Sequence, residues 1–216
     1  MPQLSSDRTL PAAVTNLRLG SALKNCGAIG VAAAFDMSTD NCLYVYDDSS
    51  IGYTDWTDRM PFFASKCFKA FNPDCTTIAL LPLDGRIITG ASWVKGGICD
   101  GMLLTEKEMC FVEFKTNVTS TNDQTILQRA EEAIEQLWHT FNSIVYPKCA
   151  AMSRQLEKLV SIDFHVVFDE EQKITGANAS LMDLQDDFLE DKKYPLYFDN
   201  EKTFTQPCPQ TTTTPS

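Results

Sequence analysis

The stretch Ile98-Cys99-Asp100-Gly101-Met102-Leu103-Leu104-Thr105-Glu106-Lys107-Glu108-Met109-Cys110-Phe111-Val112-Glu113-Phe114-Lys115 decides the fold. Two apolar runs, 98–104 and 109–115, flank the polar turn 105–108, a pattern that predicts a β-hairpin. Residues two apart on a strand share a face. Glu113 and Lys115 therefore point one way, and Val112 and Phe114 point the other way into apolar surroundings. Charges on one face of a hydrophobic strand are costly unless they are paired or used. The same hairpin sets Asp100 opposite the Glu113 end. Two carboxylates then converge with an ammonium beside them, and a divalent cation relieves their repulsion. Such oxygen donors suit Mg²⁺ (or Mn²⁺). Lys115 is placed to position a water or to stabilise charge developing at phosphorus.

Working outward, Thr77–Leu81 reads as a strand, Asp84-Gly85 as a turn, and Arg86–Thr89 as a hairpin partner, which makes 77–115 an antiparallel meander. Pro61 to Phe71 reads as a short helix with Pro in its first turn, and Cys42–Tyr46 as a strand. Downstream, Leu127, Ala130, Ile134, Leu137, Trp138, Phe141 and Val145 recur at helical spacing and predict the strongest helix, 122–145. Thr121 and Gln124 resemble a capping box, and Pro147 is expected to end or kink the helix. A second helical stretch is read over 148–159. Ile162, Phe164, Val166 and Phe168 alternate with Asp163, His165 and Val167, which predicts a strand. Leu181–Lys193 reads as an acidic helix whose Asp183, Asp186, Asp187, Glu190 and Asp191 face solvent. Residues 206–216, rich in Pro and Thr, are expected to be disordered.

With 216 residues, 44% hydrophobic and 22% charged, the chain has the composition of a globular protein with a sizeable core. A net charge of −11 argues against a free-standing nucleic-acid-binding domain, though not against an enzyme with a local groove. The eight cysteines form no C-x-x-C pair, which argues against a zinc ribbon. No signal peptide or membrane span is read, so the expected setting is cytoplasmic, with reduced and buried cysteines and no membrane partner.

Asp100 followed by Glu113-Phe114-Lys115 resembles the pattern of the PD-(D/E)XK nuclease superfamily, an Asp at a bent strand and then Glu-x-Lys on the next. The helix–three strands–helix–strand order extends the resemblance over residues 60–170. It implies an α/β (α+β) restriction-endonuclease-like core, a central mixed sheet flanked by helices in the order αβββαβ. On that reading residues 1–60 are an N-terminal extension packed on the core, 61–205 the nuclease-like domain and 206–216 a disordered tail. It further implies a Mg²⁺- or Mn²⁺-dependent phosphodiesterase, an endo- or exodeoxyribonuclease serving DNA restriction, repair or defence. Asp100 and Glu113 would hold the metal, Lys115 would assist the water, and Gln128 would orient it. Cys99 stands where the family often has Pro, and the neighbours of Gln128 lack the Gln-plus-Tyr pattern of the exonuclease branch. A leading-helix carboxylate has only Asp74 or Asp84 to supply it, because Glu is absent from residues 1–105. The competing expectation is a catalytically inactive interaction subunit with this fold, which the acidity favours. A homodimer or protein partner fits either.

Other residues read more plainly. Lys95 beside Gly96-Gly97 belongs to a loop, and His139 packs on the long helix. His165 is a solvated or core-edge histidine. Cys99 and Cys110 are expected to be buried, with nothing nearby to activate a thiolate.

Overall fold

The computed structural model describes residues 9–90, 92–118, 122–171 and 178–205. Thr121 and the 206–216 tail lie outside the described residues. Three short helices, α1 (Ala12–Asn16), α2 (Leu19–Ala22) and α3 (Val31–Ala34), precede β1 (Asp36–Ser38) and the hairpin β2 (Cys42–Asp48) and β3 (Tyr53–Thr57). Next come β4 (Phe68–Phe71), β5 (Ile78–Pro82), β6 (Gly101–Leu104) and β7 (Glu108–Phe114). The long helix α4 (Asp123–Trp138) passes through a π turn at His139–Val145 into α5 (Tyr146–Ala151). The chain closes with β8 (Ser161–Val167), α6 (Asn178–Lys192), β9 (Leu196–Tyr197) and β10 (Glu201–Thr203).

These elements make a mixed α/β architecture with two mixed sheets. The main sheet has six strands in the order β1-β5-β6-β7-β8-β9. Its first four strands pair antiparallel, while β7–β8 and β8–β9 are parallel. A parallel step needs a crossover, and α4 with α5 supplies the one from β7 to β8. The smaller sheet runs β10-β4-β2-β3.

Strand periodicity sorts the core into two sides. Ala79, Leu81, Met102, Leu104, Met109, Phe111, Ile162, Phe164 and Val166 face the helices. Ile78, Leu80, Leu103, Cys110, Val112, Phe114 and Val167 face Leu43, Val45, Phe68 and Ala70 of the smaller sheet. The main sheet is therefore buried on both sides. This is why β5 and β6 read as near-continuous apolar runs.

Several sequence expectations change here. Pro61–Phe71 is not a helix: it holds one 3-10 turn, Ala64–Lys66, followed by β4. Phe68 and Ala70 alternate with half-buried Lys69 and Phe71, and that period-2 burial outweighs the Pro61 helix signal. Arg86–Thr89 is a loop rather than a strand, with one isolated bridge between Asp84 and Ile88. Of the two outcomes expected at Pro147, an end or a kink, the end does not occur: the chain stays helical through it into α5. The π turn just before it widens the backbone, where an ordinary α-turn would bring the ring against a carbonyl. The described part of residues 1–60 is woven into both sheets through β1, β2 and β3.

The N-cap of α4 is Asn122, whose side chain accepts from the N–H groups of Gln124 and Thr125. Asn122→Ala is expected to cost about 1 kcal/mol. The check is a urea denaturation in which the midpoint falls while the slope stays unchanged.

Candidate active site at the β6–β7 hairpin

The register of β6 and β7 pairs Gly101 with Val112 and Leu104 with Met109. One step beyond, Asp100 and Glu113 meet at the open end of the hairpin. The Asp100 N–H donates to Glu113 Oε2 at 3.2 Å, and the Phe114 N–H donates to Asp100 Oδ2 at 2.6 Å. Each carboxylate thus takes a backbone N–H from the other's strand, which fixes both head groups without help from flexible loops. Lys115 Nζ lies 2.6 Å from Glu113 Oε1 and 2.6 Å from Gln136 Oε1.

Glu113 is 2% exposed, which decides its electrostatics. Burial raises its carboxyl to about 7; the Lys115 ammonium and the Asp100 N–H oppose the rise, and the nearby Asp84 charge adds to it. Asp100 is pushed well above the usual carboxylate range, first by burial and then by Glu113, against the pull of the Phe114 N–H. A buried and a half-buried carboxyl that resist ionising side by side form a site a cation would relieve.

More acidity gathers at the rim. The Leu83 N–H donates to the Asp100 carbonyl at 2.9 Å, which brings Asp84 alongside. Gly85 (φ +69°) lies against the β2–β3 turn so closely that a Cβ there would sit 2.0 Å from the Gly52 carbonyl oxygen. This approach sets the end of β2, with Asp47, beside Asp84. Desolvation raises both carboxyls, and Asp84 raises Asp47 further. Asp74 is exposed in the turn after β4. Of the two aspartates considered for an additional carboxylate, Asp84 is the one whose charge reaches Glu113.

Gln128 is not brought to this site. It is exposed on α4, where its amide donates to Glu132 at 3.3 Å. Gln136, two turns later, takes the place beside Lys115. Gly97 (φ +80°) lets the preceding loop close over it, since a Cβ there would lie 2.5 Å from Gln136 Cγ. Thr140, one turn further along, accepts from the Cys99 N–H at 2.8 Å and donates to the Gln136 carbonyl. It pins the helix to the residue before Asp100. Lys95 is exposed on the tight turn next to this loop. His139 contacts the Trp93 carbonyl at 3.2 Å, so it braces the loop.

Both flanking cysteines are buried, Cys99 among helices and Cys110 between the sheets. Asp163, His165 and Lys202 neighbour Cys110; burial first, then Asp163, pushes its thiol well above the ordinary value, so the thiolate is not activated. His165 is itself only 3% exposed. Among the described residues, Cys110, Asp163 and His165 form a buried trio whose ligand atoms all lie within 4.8 Å of one another, and it could hold a metal ion. The seven described cysteines are free thiols. No helix among the described residues is long and apolar enough to cross a membrane.

No family model matches the chain, and neither a curated protein nor a solved structure matches it.

Proposed function

We propose that this chain is a divalent-cation-dependent phosphodiesterase of the PD-(D/E)XK type, hydrolysing nucleic-acid phosphodiester bonds. The observation that carries the reading is the pairing of half-buried Asp100 with buried Glu113, with the Lys115 ammonium 2.6 Å from Glu113. The β5–β6–β7–α4–β8 run, three antiparallel strands and a crossover helix to a parallel strand, supports a restriction-endonuclease-like core. Two hard-oxygen carboxylates fit Mg²⁺ or Mn²⁺, and Asp100 and Glu113 are the residues to hold it. Bound there, the ion would supply Lewis-acid stabilisation of charge on the phosphate.

The chain's own residues do the rest. Lys115 presents N–H donors at the mouth of the acidic pair, where they can orient a water or meet developing negative charge. Gln136 accepts from Lys115 and holds it in place. DNA as substrate and a cytoplasmic setting go with this reading. The test is cleavage of plasmid, linear and single-stranded DNA with Mg²⁺ or Mn²⁺, with Glu113→Ala as control. Cleavage that survives Glu113→Ala sinks the site.

Gln136→Ala removes a hydrogen bond to a charged group, typically about 1.5–3 kcal/mol, and is expected to slow cleavage about 10–100-fold. Gln128→Ala should leave the rate unchanged. Equal effects from the two changes would contradict the placement of Gln136.

A second reading, an inactive interaction subunit with this fold, is favoured by the net charge of −11 and by the further carboxylates Asp47 and Asp84 at the rim. A wild-type chain that neither cleaves nor binds Mg²⁺ or Mn²⁺ selects that reading.

A further inference from the structure

A second polar cluster lies between the two sheets, on the side of β7 and β8 away from Glu113. These strands run parallel, with Cys110 beside Asp163 and Val112 beside His165. Cys110, Asp163 and His165 therefore project from one face. It is the face that carries Val112, Phe114 and Val167 into the core between the sheets. All three residues are buried.

Their hydrogen bonding is incomplete in one specific way. His165 Nδ1 lies 3.4 Å from the Asp199 carbonyl oxygen. A carbonyl can only accept, so Nδ1 carries a proton, and Nε2 is the ring nitrogen left to turn toward Asp163. His165 Nε2 faces Asp163 Oδ1 at 3.5 Å. Both atoms are buried without a hydrogen-bond partner. Buried polar atoms are nearly always satisfied, so this pair needs an account. The separation exceeds a hydrogen bond of about 2.7–3.2 Å. It is close to the spacing of two ligands on one tetrahedral ion with bonds of about 2.0–2.1 Å.

The surroundings hold these groups as metal ligands are held. The other Asp163 oxygen accepts from Lys202, which also reaches Glu108 at 2.8 Å. The His165 ring is fixed by the Asp199 carbonyl and sits against Phe68 and Tyr197. Outer contacts of this kind set the tautomer of a histidine ligand and orient a carboxylate ligand. The charges also balance: a thiolate, the Asp163 and Glu108 carboxylates and one ammonium leave a net −2 for a divalent ion to neutralise.

We propose that Cys110, Asp163 and His165 bind a zinc ion, at a site separate from the Asp100–Glu113 pair and independent of its function. A thiolate, an imidazole and a carboxylate select Zn²⁺ over Mg²⁺, and three protein ligands leave the fourth position to water. On binding, the Cys110 S–H bond breaks, a sulfur–zinc bond forms and the proton passes to solvent. Lys202 lies on β10 and Asp199 just before it, so the ion strengthens the attachment of the C-terminal strands to the main sheet.

The test uses the purified full chain, loaded with Zn²⁺, dialysed and analysed for metal, with a parallel sample loaded with Co²⁺. The wild type is expected to keep one zinc per chain. The cobalt form is expected to show the near-ultraviolet thiolate-to-cobalt charge-transfer band. Cys110→Ser should abolish the band, His165→Gln should weaken Zn²⁺ binding at least about tenfold, and Glu113→Gln should change neither readout. In Glu113→Gln, where the other carboxylate pair is disabled, the thermal midpoint should rise with Zn²⁺ and not with Mg²⁺. A wild type without retained zinc overturns the proposal, as does zinc retained without the cobalt band. So does loss of zinc in Glu113→Gln. The cobalt band is read on the wild type and does not depend on whether the variants fold.

Discussion

Lys115→Ala is expected to lower divalent-cation-dependent DNA cleavage by about 10²–10³-fold, the usual effect of removing one positioned donor from a reacting centre. Lys115 is the cation in contact with Glu113, and its side chain is 13% exposed, so solvent cannot easily replace it. The loss should appear in the rate at saturating DNA, because one ammonium among many phosphate contacts adds little to binding. Folding should survive. Without Lys115, Glu113 loses the charge that opposes its rise above about 7, so it stays protonated and neutral at neutral pH instead of being left as a bare buried charge. Lys115→Arg tests geometry as well as charge. The planar guanidinium is bulkier, and it must fit between Glu113 and Gln136, each 2.6 Å from the present nitrogen. It too should be slow. Initial rates on plasmid DNA decide the matter, with circular dichroism as the folding control. A Lys115→Ala protein that cuts at the wild-type rate removes Lys115 from the mechanism.

What sequence could reach and what it missed separate along physical lines. Asp100, Glu113 and Lys115 were legible because their convergence is local. A two-residue period and a short hairpin fix their common face, and the register of β6 and β7 realises it. Gln136 was missed because a helix residue joins a strand site only through tertiary packing. A signal was available. Gln136 is spaced i+3 from Ala133 and i−4 from Thr140, so it borders the buried stripe of α4, whereas Gln128 sits on the exposed face. β4 was misread because a proline at a helix-like start and a Phe-rich run are ambiguous until a pairing strand is known. The Cys110–Asp163–His165 trio was hidden for a similar reason. The alternation at 162–168 reads as one dry and one wet face, but the smaller sheet covers the second face and buries both polar residues. Nothing near β8 in sequence announces that cover, which comes from β2, β4 and β10.

The second large effect concerns Glu113 itself and couples stability to pH. In the presence of a chelator, unfolding free energy is expected to fall as pH rises from about 5 to about 8, with Glu113 contributing about 3 kcal/mol. Its carboxyl has an ordinary value of 4.5 and stands at about 7 in the fold. The folded state therefore holds that proton more tightly than the unfolded chain. Below 4.5 both states are protonated and the full stability is present. Between 4.5 and about 7 the unfolded chain releases its proton first, so stability declines with rising pH; above 7 both states are ionised and the loss is complete. Asp100, also raised, adds to the decline in the same direction. Asp163 acts oppositely. Burial pushes it up, but His165 and Lys202 outweigh burial and hold it below 3.8, so its contribution is lost only in more acidic solution. Urea midpoints across this range measure the slope. Glu113→Gln, which cannot ionise, should flatten it. Mg²⁺ or Mn²⁺ should restore stability at the alkaline end, because a cation can take the place of the missing proton between the two carboxylates. A slope that persists undiminished in Glu113→Gln assigns the pH dependence to other groups and removes the electrostatic argument for a cation at this pair.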